Sequence, residues 1–144
     1  MLKRVGLDKA IGYLDGGMFE WARAGLPANH VAQISAVELN RIMKKGDELT
    51  LVDVRAAGEF EAQHIEGAIN IPAPDLRSRY KILKKSKPIA LICSTGHRSS
   101  LSAALLKQRG FESVINVAGG MTGYSAAGYS QTCPICIAPH VPRI

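Results

Sequence analysis

Cysteine is scarce in this chain: Cys93, Cys133 and Cys136 are the only three among 144 residues. So small and odd a number does not make a disulfide framework. Aromatic residues are also few, at 6%, and none is interleaved with basic residues as a nucleic-acid surface requires. No apolar run approaches the roughly 18 residues that a membrane span needs. The opening Met1-Leu2-Lys3-Arg4-Val5-Gly6 lacks the apolar core and cleavage site of a secretory signal. A cytoplasmic protein without membrane or nucleic-acid partners is therefore expected. Acidic residues fall short of basic ones, 12 against 18, for a net charge of +6. Much of the excess comes from Arg77, Arg79, Lys81, Lys84, Lys85 and Lys87, which read as the solvated face of one predicted helix. A positive field attracts small anions without choosing among them.

What is present fits one globular domain, with 47% hydrophobic and 21% charged residues. The chain also repeats itself. Gly6-Leu7-Asp8, Gly16-Gly17-Met18 and Trp21-Ala22-Arg23-Ala24-Gly25 return as Gly110-Phe111-Glu112, Gly119-Gly120-Met121 and Tyr124-Ser125-Ala126-Ala127-Gly128. Each copy reads as a short strand, a Gly-Gly turn and a helix stopped by glycine. Only the second copy has a full domain in front of it. Residues 1–29 are therefore expected to be the tail of a preceding unit, 30–130 the domain, and 131–144 a C-terminal tail.

Along the domain, Gln33-Ile34 predicts an edge strand and Ser35-x-x-Glu38 a capping box. The helix that follows carries Leu39, Ile42 and Met43 on one face and ends at Gly46. Strands are predicted at 50–54, 68–71, 88–93 and 113–117. Helices are predicted at 57–63, along the stripe Leu76, Tyr80, Leu83, and at 100–109 with Leu101, Ala104 and Leu105 inward. Strands alternating with helices make an α/β fold with a mainly parallel central sheet flanked by helices. Working sites in such sheets lie at the strand C-termini.

Cys93 falls at such an end. It closes the apolar run Pro88-Ile89-Ala90-Leu91-Ile92 and opens the loop Ser94-Thr95-Gly96-His97-Arg98-Ser99. Loop amides and a helix N-terminus favour negative charge, and hence a thiolate able to attack sulfur or phosphorus electrophiles. Cys93 is the expected nucleophile. Arg98 sits where a helix dipole disfavours a cation, so an anionic substrate is expected to meet it. Ser94, Thr95 and Ser99 are hydrogen-bond donors, and Gly96 supplies a conformation other residues resist. His97 either tunes the thiolate or faces solvent.

With these residues in place, the chain resembles the rhodanese family of sulfurtransferases from about Ile34 to Tyr129. The resemblance rests on Leu51-Val52-Asp53-Val54-Arg55 with Glu59-Phe60, on His64-Ile65-x-Gly67-Ala68-x-Asn70-Ile71-Pro72, on Cys93-x-x-Gly96-x-Arg98, and on Gly119-Gly120-Met121. It implies a sulfurtransferase with no cofactor or metal, in which Cys93 takes sulfur from thiosulfate or a small persulfide. A thiol acceptor or cyanide then removes it. Residues 94–99 form the implied substrate loop. Asp53 and Arg55 are implied supports of that loop and the following turn, with Glu59 a partner for Arg55. His64 reads as a structural turn residue.

Residues 1–29 resemble the end of a second rhodanese unit. Tandem units of this kind resemble the C-terminal part of fusions with a metallo-β-lactamase-fold persulfide dioxygenase, which is the implied partner or fused neighbour. No His-x-His cluster of that metal domain occurs in this sequence. Two other functions compete. A phosphatase or arsenate reductase of related fold places five residues between cysteine and arginine, whereas Ser94, Thr95, Gly96 and His97 are four. A non-catalytic binding module would have lost the cysteine. Cys133-Pro134-Ile135-Cys136 with His140 offers three ligands where a zinc site needs four, and no essential role is expected of it.

Overall fold

The computed structural model describes residues 12–129, in two units that divide between His30 and Val31. The Cys-x-x-Cys tail and the first strand of the repeat lie outside the described residues.

The first unit is built on one helix. Gly16, at φ +67°, turns the chain into α1 (Gly17–Arg23), and Gly25, at φ +66°, follows its end. Both angles lie in the left-handed region that glycine enters without strain. None of the α1 residues is buried, and Met18 and Phe19 are 62% and 75% exposed. Trp21 donates its indole N–H to the Pro27 carbonyl at 3.0 Å.

The second unit alternates strands and helices as the sequence predicts. Its elements are β1 (Ala32–Ile34), α2 (Ala36–Lys45), β2 (Thr50–Asp53), α3 (Ala57–Ala62), β3 (Ile69–Asn70), α4 (Leu76–Arg79), β4 (Ile89–Ile92), α5 (His97–Gln108), β5 (Val114–Val117) and α6 (Gly120–Ala126). The sheet runs β1-β5-β4-β2-β3 with every pairing parallel. The expected α/β class and parallel sheet are what the chain adopts. No described helix is long and apolar enough to cross a membrane.

β4 occupies the middle, and all four of its residues are buried. Its side chains alternate between two cores. Leu91 joins Val52, Leu106 and Phe111 on one face, while Ala90 and Ile92 join Leu39, Leu51 and Met121 on the other. Each large apolar side chain buried in this way contributes about 1.5–3 kcal/mol. A strand gripped from both faces holds the residue after it, Cys93, in a fixed position. The Ser35 hydroxyl accepts the Glu38 amide at 3.1 Å, the start predicted for α2, and Gly46 ends that helix at φ +71°.

Three local expectations need correction. α5 starts at His97 rather than Ser100, so His97, Arg98 and Ser99 form its first turn. Its buried residues are Ser99, Ser102, Ala103 and Leu106, with Leu105 half-buried against the same core as expected, while Leu101 is 75% exposed and Ala104 also faces out. Apolar residues fill both sides of this stretch, so periodicity alone did not fix the face. The helix turns its small residues toward β4 and β5. The stripe Leu76, Tyr80, Leu83 gives only one α-turn, followed by a 3-10 turn at Tyr80–Ile82. Leu76 and Leu83 are nevertheless buried, because three apolar positions need burial more than they need a continuous helix. β3 is two residues long, since Ala68 is held in a turn by the Ile65 carbonyl at 3.0 Å.

Candidate active site

Cys93 follows β4 directly and is only 1% exposed. The Gly96 amide donates to its Sγ at 3.1 Å, and the Ser99 hydroxyl lies 3.4 Å from the same sulfur. That hydroxyl also lies 3.1 Å from the Gly96 carbonyl, so its single proton serves one acceptor at a time. Gly96 caps α5 at φ +105°, which turns its N–H inward. Burial by itself pushes the Cys93 thiol up. The Ser99 hydroxyl and the amides of Ser99, Gly96 and Thr95 outweigh burial, and the net shift is below the ordinary 9.0.

The loop amides point at sulfur because the carbonyls behind them are engaged elsewhere. At the start of α6, the Met121 amide donates to the Cys93 carbonyl at 2.7 Å and the Thr122 amide to the Ser94 carbonyl at 3.0 Å. This approach requires Gly120. A Cβ there would overlap the Cys93 carbonyl oxygen and stand 2.6 Å from the Ser94 carbonyl group, and φ is +54°. The Gly119-Gly120-Met121 motif is thus the back wall of the cysteine loop.

Arg98 does not stand free. Its two terminal nitrogens donate to Glu59 at 2.7 and 2.9 Å, and one of them also donates to the Ser94 hydroxyl at 2.7 Å. Ser94 in turn donates to Glu59 at 2.9 Å. The Arg98 guanidinium holds the Glu59 carboxyl down at about 2, assisted by the Ala56 amide and Ser94. The expected Glu59–Arg55 pair is not formed. Arg55 forks onto Asp53 instead, with contacts of 2.6–3.0 Å, and the pair is buried. Residues i and i+2 on an extended segment share a face, which gives Asp53 first claim on Arg55. Arg55 also donates to the Gln63 carbonyl at 2.6 Å, and Asn70 donates to the carbonyls of Asp53 and Arg55 at 3.0 Å. The Asp53–Arg55 pair therefore fixes the end of β2 to both ends of the α3 segment, which carries Glu59 to the loop. Its reach to the loop is indirect.

The remaining residues divide. Thr95 and His97 lie 3.0 Å apart, Oγ1 to Nδ1, and both are exposed at the rim. His64 stacks on Phe60 at 4.1 Å and contacts the Phe60 carbonyl through Nδ1 at 2.9 Å. Beside the loop runs an open groove of about 450 Å³, lined by Thr95, Gly96, Ser100, Leu101, Gln33 and Asn116 among others. Glu59 is the site residue whose partner the sequence reading misassigned. The available signal was that Arg98 needed a carboxylate once Asp53 had taken Arg55.

Residues 35–127 match the family model described as "Rhodanese-like domain". YrkF of Bacillus subtilis, provisionally named a sulfur carrier protein, is 33% identical over 98 residues, or 68% of this chain and 53% of that protein. A tRNA uridine(34) hydroxylase of Erwinia tasmaniensis is 28% identical over 72% of this chain and 31% of its own length. The chain thus spans about half, or less, of these curated relatives. A rhodanese-related protein from Thermoplasma volcanium superposes with a TM-score of 0.63 at 35% identity, covering 68% of this chain and 94% of the other. On the family match and the shared fold, this chain belongs to the rhodanese-like domain family.

Proposed function

We propose that this chain is a sulfurtransferase that carries sulfane sulfur on Cys93. The observation that carries the reading is the convergence of the Gly96 amide and the Ser99 hydroxyl on a sulfur whose acidity is raised despite burial. Those donors favour the thiolate. The Gly96 amide also stands ready for the anionic persulfide, as an oxyanion hole does for oxygen.

In the first half-reaction the Cys93 thiolate attacks the outer sulfur of a donor R–S–SH. The new bond is Cys93 Sγ to that sulfur, the S–S bond of the donor breaks, and RS⁻ departs to be protonated. With thiosulfate the departing group is sulfite. In the second, an acceptor thiol or cyanide takes the outer sulfur and restores the thiolate. Two half-reactions on one nucleophile give ping-pong kinetics.

The relative provisionally named a sulfur carrier supports this reading, since a carrier also holds labile sulfur. The phosphatase or arsenate reductase reading is disfavoured by the short loop and by an arginine already committed to Glu59. Mass spectrometry tests the proposal. After exposure to thiosulfate or glutathione persulfide, the Cys93 peptide should gain one sulfur atom and lose it on adding cyanide. No gain with either donor, or release of phosphate from a phosphatase substrate instead, would overturn it.

A further inference from the structure

Two arginines belong to the site and its support, and each is already paired with a carboxylate. Arg55 is buried on Asp53, and Arg98 is forked onto Glu59 while also holding Ser94. From Cys93 to Ser99 there is no lysine and no second arginine. The donors that face the sulfur are uncharged: the Gly96 amide and the Ser99 hydroxyl. A loop that the sequence presents as an arginine-bearing anion receptor is, in the fold, an electrically balanced cradle.

We propose that Glu59 is the specificity-determining residue of this site: by neutralising Arg98, it selects sulfur donors whose leaving group is a thiol over donors whose leaving group is a sulfonate-type dianion. The proposal rests on the sulfurtransferase reading and refines it. A thiosulfate dianion must find a cation for its sulfonate end. The cation it meets here, Arg98, already has its charge offset by a carboxylate that makes two charge-assisted contacts to it. A low-molecular-weight persulfide places its reactive sulfur among the amides and asks for no such cation. Discrimination then comes from the repulsive element, Glu59, as much as from the cradle. Glu59 does not touch the reacting sulfur; it acts through Arg98 and Ser94.

The test is a pair of donor titrations, thiosulfate and glutathione persulfide, with cyanide as common acceptor. In the native chain kcat/KM should favour the persulfide. Glu59→Gln keeps the size of the side chain and removes its charge, so Arg98 becomes available. The thiosulfate-to-persulfide ratio of kcat/KM should rise by about tenfold, the scale of one charge-assisted contact. Glu59→Ala should move the ratio in the same direction, which guards against a rearranged Gln side chain. In Glu59→Gln with Arg98→Gln the freed cation is gone, and the ratio should return to near its native value. A ratio that does not move in either single variant, or a gain that survives in the double variant, would overturn the role of Glu59. Absence of a Cys93 persulfide in the native chain with both donors would instead sink the sulfurtransferase reading itself.

Discussion

Two regions of this molecule share one motif and differ in what the motif touches. Gly16-Gly17-Met18 and Gly119-Gly120-Met121 both turn the chain through paired left-handed glycines into a seven-residue helix, and a left-handed glycine follows each helix. In the second copy Gly120 lies against the backbone of Cys93 and Ser94, and Met121 and Tyr124 are only 5% and 6% exposed. In the first copy a Cβ on Gly17 would meet nothing within 4 Å, and Met18 is 62% exposed. Local conformation is therefore written in the glycines themselves. The packing consequence is not: it arises only where a cysteine loop offers its carbonyls to the helix start.

The largest expected effect removes what the second copy serves. Cys93→Ser should abolish sulfur transfer and leave the far-ultraviolet circular dichroism unchanged. Cys133→Ser with Cys136→Ser should retain most of the activity. Full turnover by Cys93→Ser would separate the Gly-Gly back wall from any catalytic role.

The next prediction sets the two glycines directly against each other. Gly120→Ala forces a methyl group into the Cys93 and Ser94 backbone at a positive φ, and should cost about 2 kcal/mol or more in urea unfolding. It should also sharply reduce transfer, because the loop must shift. Gly17→Ala meets the same backbone strain, about 1–2 kcal/mol locally, but no neighbour. Its expected effect on transfer is nil. Equal losses in the two variants would mean that the motif works through helix formation alone.

A smaller effect concerns the acidity of the sulfur. Ser99→Ala removes a donor to the thiolate, so the pH midpoint for alkylation of Cys93 should move upward from a native value below 9.0. A midpoint that stays in place would leave the backbone amides as the whole source of the shift.

Glu59 gives a pH effect of opposite sense. Its folded-state pKa is about 2 against an ordinary 4.5. The unfolded chain therefore binds this proton first as the medium is acidified. The resulting stabilisation is complete above the ordinary value and is lost as pH falls toward the folded one. Thermal unfolding followed from about pH 6 to pH 3 should show a shallower decline for Glu59→Gln than for the native chain. Identical slopes would remove Glu59 from the acid response. The smallest effect is expected from deleting residues 1–29, which should leave a folded and active domain; outright unfolding would make the first copy an integral part of the domain.

How much of this was legible in the sequence follows from how many partners each feature needs. β4 and the position of Cys93 were readable because the short apolar run from Pro88 to Ile92 has the length of a buried strand rather than a helix, and a strand end fixes the next residue. The Ser35 cap was readable because both its partners lie within four residues. The face of α5 was not, because Leu101, Ala103, Ala104, Leu105 and Leu106 satisfy more than one helical phase. The partner of Glu59 was not readable either, since Arg98 lies 39 residues away and only the fold brings the two together. Arg98 alone reads as available for substrate in the sequence, and the structure gives it Glu59 as a counter-ion.

The shared proton of Ser99 has a consequence for the timing of the reaction. When Cys93 is a thiolate, the negative charge sits on Sγ, 3.4 Å from the Ser99 oxygen. Once sulfur has been accepted, the charge moves outward by one S–S bond, about 2 Å. The hydroxyl can then turn back to the Gly96 carbonyl, 3.1 Å away, with no group left unsatisfied. On the proposed sulfurtransferase reading, a rotation about one C–O bond would follow the cargo, tightening on the empty carrier and relaxing on the loaded one, while the rest of the loop stays where β4 and α6 hold it.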